Sequence, residues 1–196
     1  MAQLAEIALD LWEERGYSAV SMGEIAATAG VTTRTLHRYF SSKSDIIWGE
    51  LARAFDDLEL SLKATPGDLP LLVRIRSAIG TVLSTDGDAP EHRRRLRIVA
   101  RTPELQAATS PPFLAWRATV RDFARAHLTG PSAQLDAEII ASAVQSVTMV
   151  AITWWALHGD ASPENHVDHA LRLLESGFRE APPDAVPLAA RESTPQ

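Results

Sequence analysis

No cysteine occurs among the 196 residues, which excludes disulfides and thiolate metal sites and fits a reducing cytoplasm. A basic start is missing too: MAQLAEIALDLWEERG carries its acids early, so it does not read as a secretory signal. Positive charge is scarce overall. The net charge is -6, and residues 1–50 hold four Lys/Arg against seven Asp/Glu, which excludes a protein that coats polyanions with its whole surface. Any nucleic-acid contact must be local. G-x-S-x-G, G-x-G-x-x-G, P-loop and H-E-x-x-H patterns are absent, which argues against the common hydrolase, nucleotide-binding and metalloprotease chemistries. No stretch alternates apolar and polar residues with β-branched enrichment, and no internal repeat is visible.

What is present is helical periodicity almost throughout, in a chain that is 45% hydrophobic and able to fill a core. The expected fold class is all-α, with about nine helices. A first helix over 2–15 places Leu4, Ile7, Ala8 and Leu11 on one face and stops at Gly16, a residue suited to a left-handed position. Ser21 opens a second helix through the capping box S-M-G-E, and Gly30 ends it. Thr32 caps a short third helix from Thr33 to about Phe40, and Ser42 caps a long fourth from Lys43 to about Ala64. Further helices are expected at 69–84, 91–101, 111–128, 133–158 and 163–180, separated by Gly, Pro and capping residues. The boundaries implied are a three-helix unit over 1–47, a larger helical unit over 48–180, and a disordered, proline-rich tail over 181–196.

The stretch 139–157, IIASAVQSVTMVAITWWAL, is nearly long enough to span a bilayer and has no charged residue. Its Ser, Thr and Gln content and the acidic flanks Asp136, Glu138 and Asp160 favour a buried helix in a protein with no membrane partner. His166 and His169 stand three apart and offer half a metal site, but no third ligand is identifiable, so they are read as surface histidines and no metal or cofactor is expected.

Residues 31–46, VTTRTLHRYFSSKSDI, carry the most pointed signal. Two helices joined by a tight Gly-containing turn, the second one short, make a helix-turn-helix, whose second helix enters the major groove of double-stranded DNA. Leu36 and Phe40 are four apart and share the inner face with Val31, leaving Thr33, Arg34, His37 and Arg38 outside. Arg34 can donate two bonds to a guanine edge, and threonine methyls can meet thymine. Residues 31–44 hold three Arg/Lys and a histidine with no acid. A solvated helix with ordinary caps has the same periodicity, so both readings stay open on this ground alone.

The run T-A-G-V-T-T-R-T-L-H-R-Y-F-S-S-K-S-D-I, preceded by A-L-D-L-W-E-E-R-G-Y-S-A-V-S-M-G-E-I-A, resembles the N-terminal domain of TetR-family transcriptional regulators over residues 4 to about 50. The resemblance implies a dimeric regulator of palindromic operator DNA. It assigns base reading to Thr33, Arg34, His37 and Arg38, and phosphate contacts to Ser21, Thr32, Thr35, Tyr39 and Lys43. His37 departs from the Tyr or Phe common at its position, which leaves open a polar contact in place of a stacked one.

The second unit is read on physical grounds first. Helix 133–158 is apolar nearly all round and so needs covering on more than one side. Val167, Ala170, Leu171, Leu174 and Phe178 form a stripe on the next helix, and the two helices together suit a four-helix homodimer interface. Phe113, Trp116, Phe123, Met149, Trp154 and Trp155, with Gln145, Thr153 and His158 nearby, have the make-up of an apolar pocket, and equally of a plain core. The run HRRRLRIVARTPEL reads as a solvated face with Leu96 and Val99 inward. Together with F-L-A-W-R, W-W-A-L and Trp48-Gly49 it also resembles the C-terminal domains of regulators that bind acyl-CoA-like ligands, including regulators of mycofactocin genes. That resemblance implies a small-molecule effector of acyl-CoA type, with Arg94, Arg97 or Arg101 at its phosphates and Phe113, Trp116, Phe123, Gln145, Met149 and Trp154 around its acyl chain. The function expected is a ligand-released repressor. The alternatives are a transcriptional activator and a helical interaction protein that takes no small molecule.

Overall fold

The computed structural model describes residues 2–49, 52–86, 89–106, 111–159 and 161–178; of residues 52–56, 85–86 and 111–112 only the backbone is described. Eleven helices and no strand occur among them: α1 (Ala2–Arg15), α2 (Met22–Thr28), α3 (Thr33–Tyr39), α4 (Lys43–Trp48), α5 (Ala52–Ala64), α6 (Leu71–Asp86), α7 (Pro90–Ala100), α8 (Pro103–Gln106), α9 (Pro111–His127), α10 (Ala133–His158) and α11 (Pro163–Glu175). The all-α expectation holds, and the count exceeds nine for two reasons. A short helix, α8, follows Thr102, and the single long helix expected from Lys43 to Ala64 is in two pieces, with Gly49 closing α4. The expected tail at 181–196 lies outside the described residues.

The helix-turn-helix is built by local rules. Gly16 takes φ +86 after α1, and its N–H donates to the Trp12 carbonyl at 2.9 Å. Ser21 and Glu24 form a reciprocal capping box at the start of α2. At the other end Gly30 (φ +67) lets Val31 N–H reach the Ala26 carbonyl and its own N–H reach Ala27, the paired closure that only a left-handed residue permits. The same closure by Gly177 and Phe178 onto Leu174 and Leu173 ends α11 at Glu175, short of the expected residue 180.

One apolar cluster joins the first three helices to the rest. Leu9, Trp12, Ile25, Leu36, Ile46 and Trp48 pack together with Ile98 and Val99 of α7, Leu105 of α8 and Phe113 of α9. Trp48 and Phe113 meet edge to face at 4.5 Å, so the core runs across the expected 47/48 boundary. A second cluster holds Leu58, Ile75, Trp116, Val120, Val144, Val167 and Leu171 between α5, α6, α9, α10 and α11. Burial of this kind is the main stabilisation of both, at roughly 1.5–3 kcal/mol per large side chain.

Helix α10 packs on α7, α9 and α11. Its length and composition would suit a membrane span, yet Ala141, Val144, Trp155 and Ala156 are buried in the fold. Beyond its end Gly159 is a required close approach, since a Cβ there would lie 2.7 Å from Trp155 and 2.9 Å from His166. His166 is accordingly buried rather than superficial, its Nδ1 3.1 Å from the Ser162 carbonyl. Among the described residues no group of three His, Asp or Glu side chains is placed to hold a metal.

Candidate nucleic-acid interface

Helix α3 divides as its spacing requires. Leu36 is fully buried and Phe40 half-buried against the first cluster, while Thr33, Arg34, His37 and Arg38 are exposed on the outer side. Thr32 caps α3 by accepting the Thr35 N–H at 3.1 Å, and the two threonine hydroxyls are 2.9 Å apart. Ser21 is similarly engaged, accepting the Glu24 N–H at 3.2 Å. Both caps are on the surface, where a hydroxyl can still reach a phosphate. Arg38 donates to the Tyr39 hydroxyl at 2.7 Å, which pre-positions two groups assigned to bases and phosphate.

Lys43 is also engaged within the chain. Its ammonium donates to the carbonyls of Tyr17 and Val20, both at 3.0 Å, and sits 4.4 Å from the centre of the Tyr17 ring. Two of its three protons therefore staple α4 to the turn after α1, and one is left for a phosphate. Tyr17 is buried, and its hydroxyl is pushed up to about 12 by burial first, then by the carboxylates of Glu104 and Asp45. Asp45 caps α4 by accepting from the Ser41 and Ser42 hydroxyls and from the Ser42 N–H; although its burial acts the other way, these bonds hold its carboxyl below the usual range. Glu24 is held down to about 2 by the Ser21 N–H and by Arg15, which reaches it at 2.6 Å and ties α1 to α2.

The arginine run on α7 is not a solvated face. Arg93 donates to the Gly159 and Trp155 carbonyls at the end of α10. Arg94 is gripped by three carboxylates of α1, Glu6 and Glu13 at 2.9 Å and Asp10, so it is not available to an effector's phosphates. Arg95 is buried and donates to the Ile46 carbonyl of α4 at 2.6 Å. Helix α7 thus holds α10 with one side chain and the DNA-facing unit with the next two. No sequence signal marked these partners, which lie 49 to 88 residues away. Arg97 and Arg101, in contrast, are exposed and line a cleft of 290 Å³ against Trp12, Gly16 and Tyr17.

The other residues expected around an acyl chain do not meet at one place. Phe113 lies on Trp48, and the Gln145 amide donates to the Phe113 carbonyl at 2.9 Å, pinning α9 to α10 beside Met149. Trp116 belongs to the second cluster, and Phe123 carries the Arg74 guanidinium 4.8 Å above its ring. Trp154 is 57% exposed on the outer side of α10; its neighbour Trp155 is the buried one. An apolar helix offers both positions the same neighbours in sequence, and only packing separates them.

Comparison with known proteins agrees with this geometry. The family described as "Bacterial regulatory proteins, tetR family" matches residues 4–47, and that described as "MftR C-terminal domain" matches residues 69–179. The chain is 28% identical over 176 residues to the protein named as mycofactocin biosynthesis transcriptional regulator MftR of Mycobacterium tuberculosis, covering 89% of each. Its fold is similar to that of the fatty acid degradation regulator FadR from Bacillus halodurans (TM-score 0.62, 17% identity, 91% of this chain and 95% of that one). It is also similar to Thermus thermophilus FadR, solved in complex with lauroyl-CoA (TM-score 0.58, 18% identity, 92% and 97%). With a helix-turn-helix whose basic face is turned outward and a C-terminal domain of MftR type, the chain belongs to the tetR family of bacterial regulatory proteins, and is a DNA-binding transcriptional regulator rather than an enzyme.

Proposed function

We propose that this protein is a dimeric repressor acting in the cytoplasm, which binds a palindromic operator and is released by an acyl-CoA-like effector. The observation that carries the DNA part is the outward face of α3, with Thr33, Arg34, His37 and Arg38 exposed above a fully buried Leu36. In a two-fold dimer two such faces would enter successive major grooves, about 34–36 Å apart.

The dimer is supported by a face of α10 that has no partner among the described residues. Leu135, Ile139, Val150 and Trp154 are 62%, 56%, 66% and 57% exposed, with the small residues Ser142 and Ser146 between them. These positions fall three or four apart, one stripe along a helix about 39 Å long. The stripe expected on α11 is placed otherwise: Val167 and Leu171 are buried within the chain's own second cluster, and Phe178 is 68% exposed. The apolar surface for a second copy is therefore contributed mainly by α10.

The effector class is supported by the lauroyl-CoA complex of the similar Thermus regulator. A ligand that favours one arrangement of α7 would act on α1 and α4 through Arg94 and Arg95, and it lowers DNA affinity by its differential affinity for the two states. Fluorescence anisotropy of an operator duplex recovered by selection from random DNA tests the reading. Lauroyl-CoA should dissociate the complex and laurate or free CoA should not. Tighter DNA binding with lauroyl-CoA would overturn release by the ligand.

A further inference from the structure

We propose that α10 pairs antiparallel with α10 of a second copy about a two-fold axis level with Val144 and Gln145, so that Ile139 of each copy meets Val150 of the other. The inference rests on the dimer reading above and adds to it a direction, a register and the residues that fix them.

Spacing carries the first step. From Leu135 to Trp154 the exposed positions of α10 are Leu135, Ile139, Ser142, Ser146, Val150 and Trp154. Counted from a midpoint between residues 144 and 145, Ile139 and Val150 stand equally far to either side, and so do Leu135 and Trp154. At a rise of about 1.5 Å per residue these distances are roughly 8 and 14 Å, with both serines within about 4 Å of the midpoint. An antiparallel two-fold pair requires such a mirrored order, because it sets each residue against the one equally far beyond the midpoint in the other copy. A parallel pair sets each residue against itself and requires no symmetry within the stripe.

Side-chain size is a second, independent observation. Packed helices are inclined to one another by about 20° or 50° in the common classes, so they diverge away from the point where they cross. Close approach needs small side chains at the crossing and larger ones further out. The stripe has this gradation in both directions: serines beside the midpoint, Ile139 and Val150 next, Leu135 and Trp154 outermost. Ser142, Ser146, Val150 and Trp154 also follow one row of residues four apart, the ridge used in the commonest class of crossing.

Electrostatics agree with the same arrangement. No member of the stripe is charged, and the acids beside it are engaged elsewhere, Asp136 with the Ser132 hydroxyl at 2.8 Å and Glu138 with Arg121 at 3.6 Å. Two antiparallel helices set the positive end of each macrodipole beside the negative end of the other, whereas parallel helices set like ends together. The occupant is a second copy of this chain, since a foreign partner gains nothing from a stripe mirrored about its own centre.

Sedimentation velocity of the full chain tests the register through a charge swap. Ile139→Lys and Val150→Glu should each weaken the dimer about tenfold or more, because each places an unpaired charge in the interface. The Ile139→Lys/Val150→Glu double variant should recover about tenfold or more of the combined loss, since each lysine then faces a glutamate of the other copy. That recovery also shows that the single variants fold. A double variant as weak as the two losses combined overturns the register, while a dimeric wild type keeps the dimer reading. A wild type that is monomeric at high micromolar concentration overturns both and gives the stripe to another partner. The chain has no cysteine, so introduced thiols are the only ones. Mild oxidation should link the Ile139→Cys/Val150→Cys variant into a covalent dimer and leave each single-cysteine variant unlinked, because position 139 and its own copy are roughly 16 Å apart along the axis. Linkage in either single variant, or none in the double, overturns the register.

Discussion

The Arg94 guanidinium donates through Nε to the Glu13 carboxylate at 2.9 Å, and its two other nitrogens take Glu6 and Asp10 on the same side of α1. One side chain of the effector-type domain therefore bridges three acids spaced three and four apart on the first helix of the DNA-binding unit and offsets part of their charge. Without it those acids would repel one another across successive turns.

Replacing Arg94 with Ala should destabilise the chain by about 1–3 kcal/mol. Its side chain is 18% exposed, so the cost falls between the 0–1 kcal/mol of a surface pair and the 3–5 of a fully buried one. Denaturant unfolding of Arg94→Ala, Glu13→Gln and the double variant measures the coupling. A double-mutant coupling below about 0.3 kcal/mol would show the contact to be ornamental.

Operator binding should fall by about 1–3 kcal/mol in Arg34→Ala, with relaxed preference at one base pair. In Tyr39→Phe, which removes the hydroxyl that accepts from Arg38, binding should weaken evenly across sequences. Anisotropy titrations on matched and single-substituted operators at several salt concentrations separate these outcomes. Equal affinity of both variants and wild type on all duplexes would refute the assignments.

Acid should remove the advantage that Glu24 gives α2. Its carboxyl is held down from an ordinary 4.5 to about 2, so the contribution is complete above 4.5 and is lost as pH falls through 2. Wild type should be more stable than Glu24→Gln at pH 7, with the difference shrinking between pH 4.5 and 2. Parallel thermal melts across that range give the answer; a gap independent of pH would mean that Arg15 and the Ser21 N–H do not act on the charge.

Alkali acts in the opposite sense on Tyr17. Its hydroxyl is pushed from 10.0 up to about 12, so the contribution is complete below pH 10 and is lost as pH rises through 12. The chain has two tyrosines, and Tyr39→Phe leaves Tyr17 as the only one. Absorbance at 295 nm should then show no phenolate step near pH 10, and stability measured by denaturant should decline between 10 and 12. A reversible phenolate transition at 10 in the folded variant would place Tyr17 in solvent.

A charged residue in the α10 stripe should disrupt assembly. Ile139→Glu or Trp154→Glu, at positions already 56% and 57% exposed, should leave helicity unchanged and yield monomers with weakened operator binding. Sedimentation velocity reads the mass directly. A dimer that persists in both variants moves the interface elsewhere.

The helix-turn-helix was legible before any coordinates because every signal in it is local. Ser21 with Glu24, Thr32 with Thr35, and Leu36 with Phe40 lie three or four apart, and Gly16 and Gly30 mark left-handed turns that other residues rarely adopt. The sequence by itself thus determined an all-helical chain, the ends of its early helices and which face of α3 is turned outward. Tertiary structure alone decided what the α7 arginines hold, since Glu6, Ile46 and Gly159 are 49 to 88 residues away and no periodicity encodes them. It alone decided that Trp155 is core while Trp154 is surface, because a helix apolar all round has no inside until its neighbours are packed. It also turned Lys43 inward onto Tyr17, for a side chain with four methylenes follows the nearest unsatisfied carbonyls rather than the face on which its Cα lies.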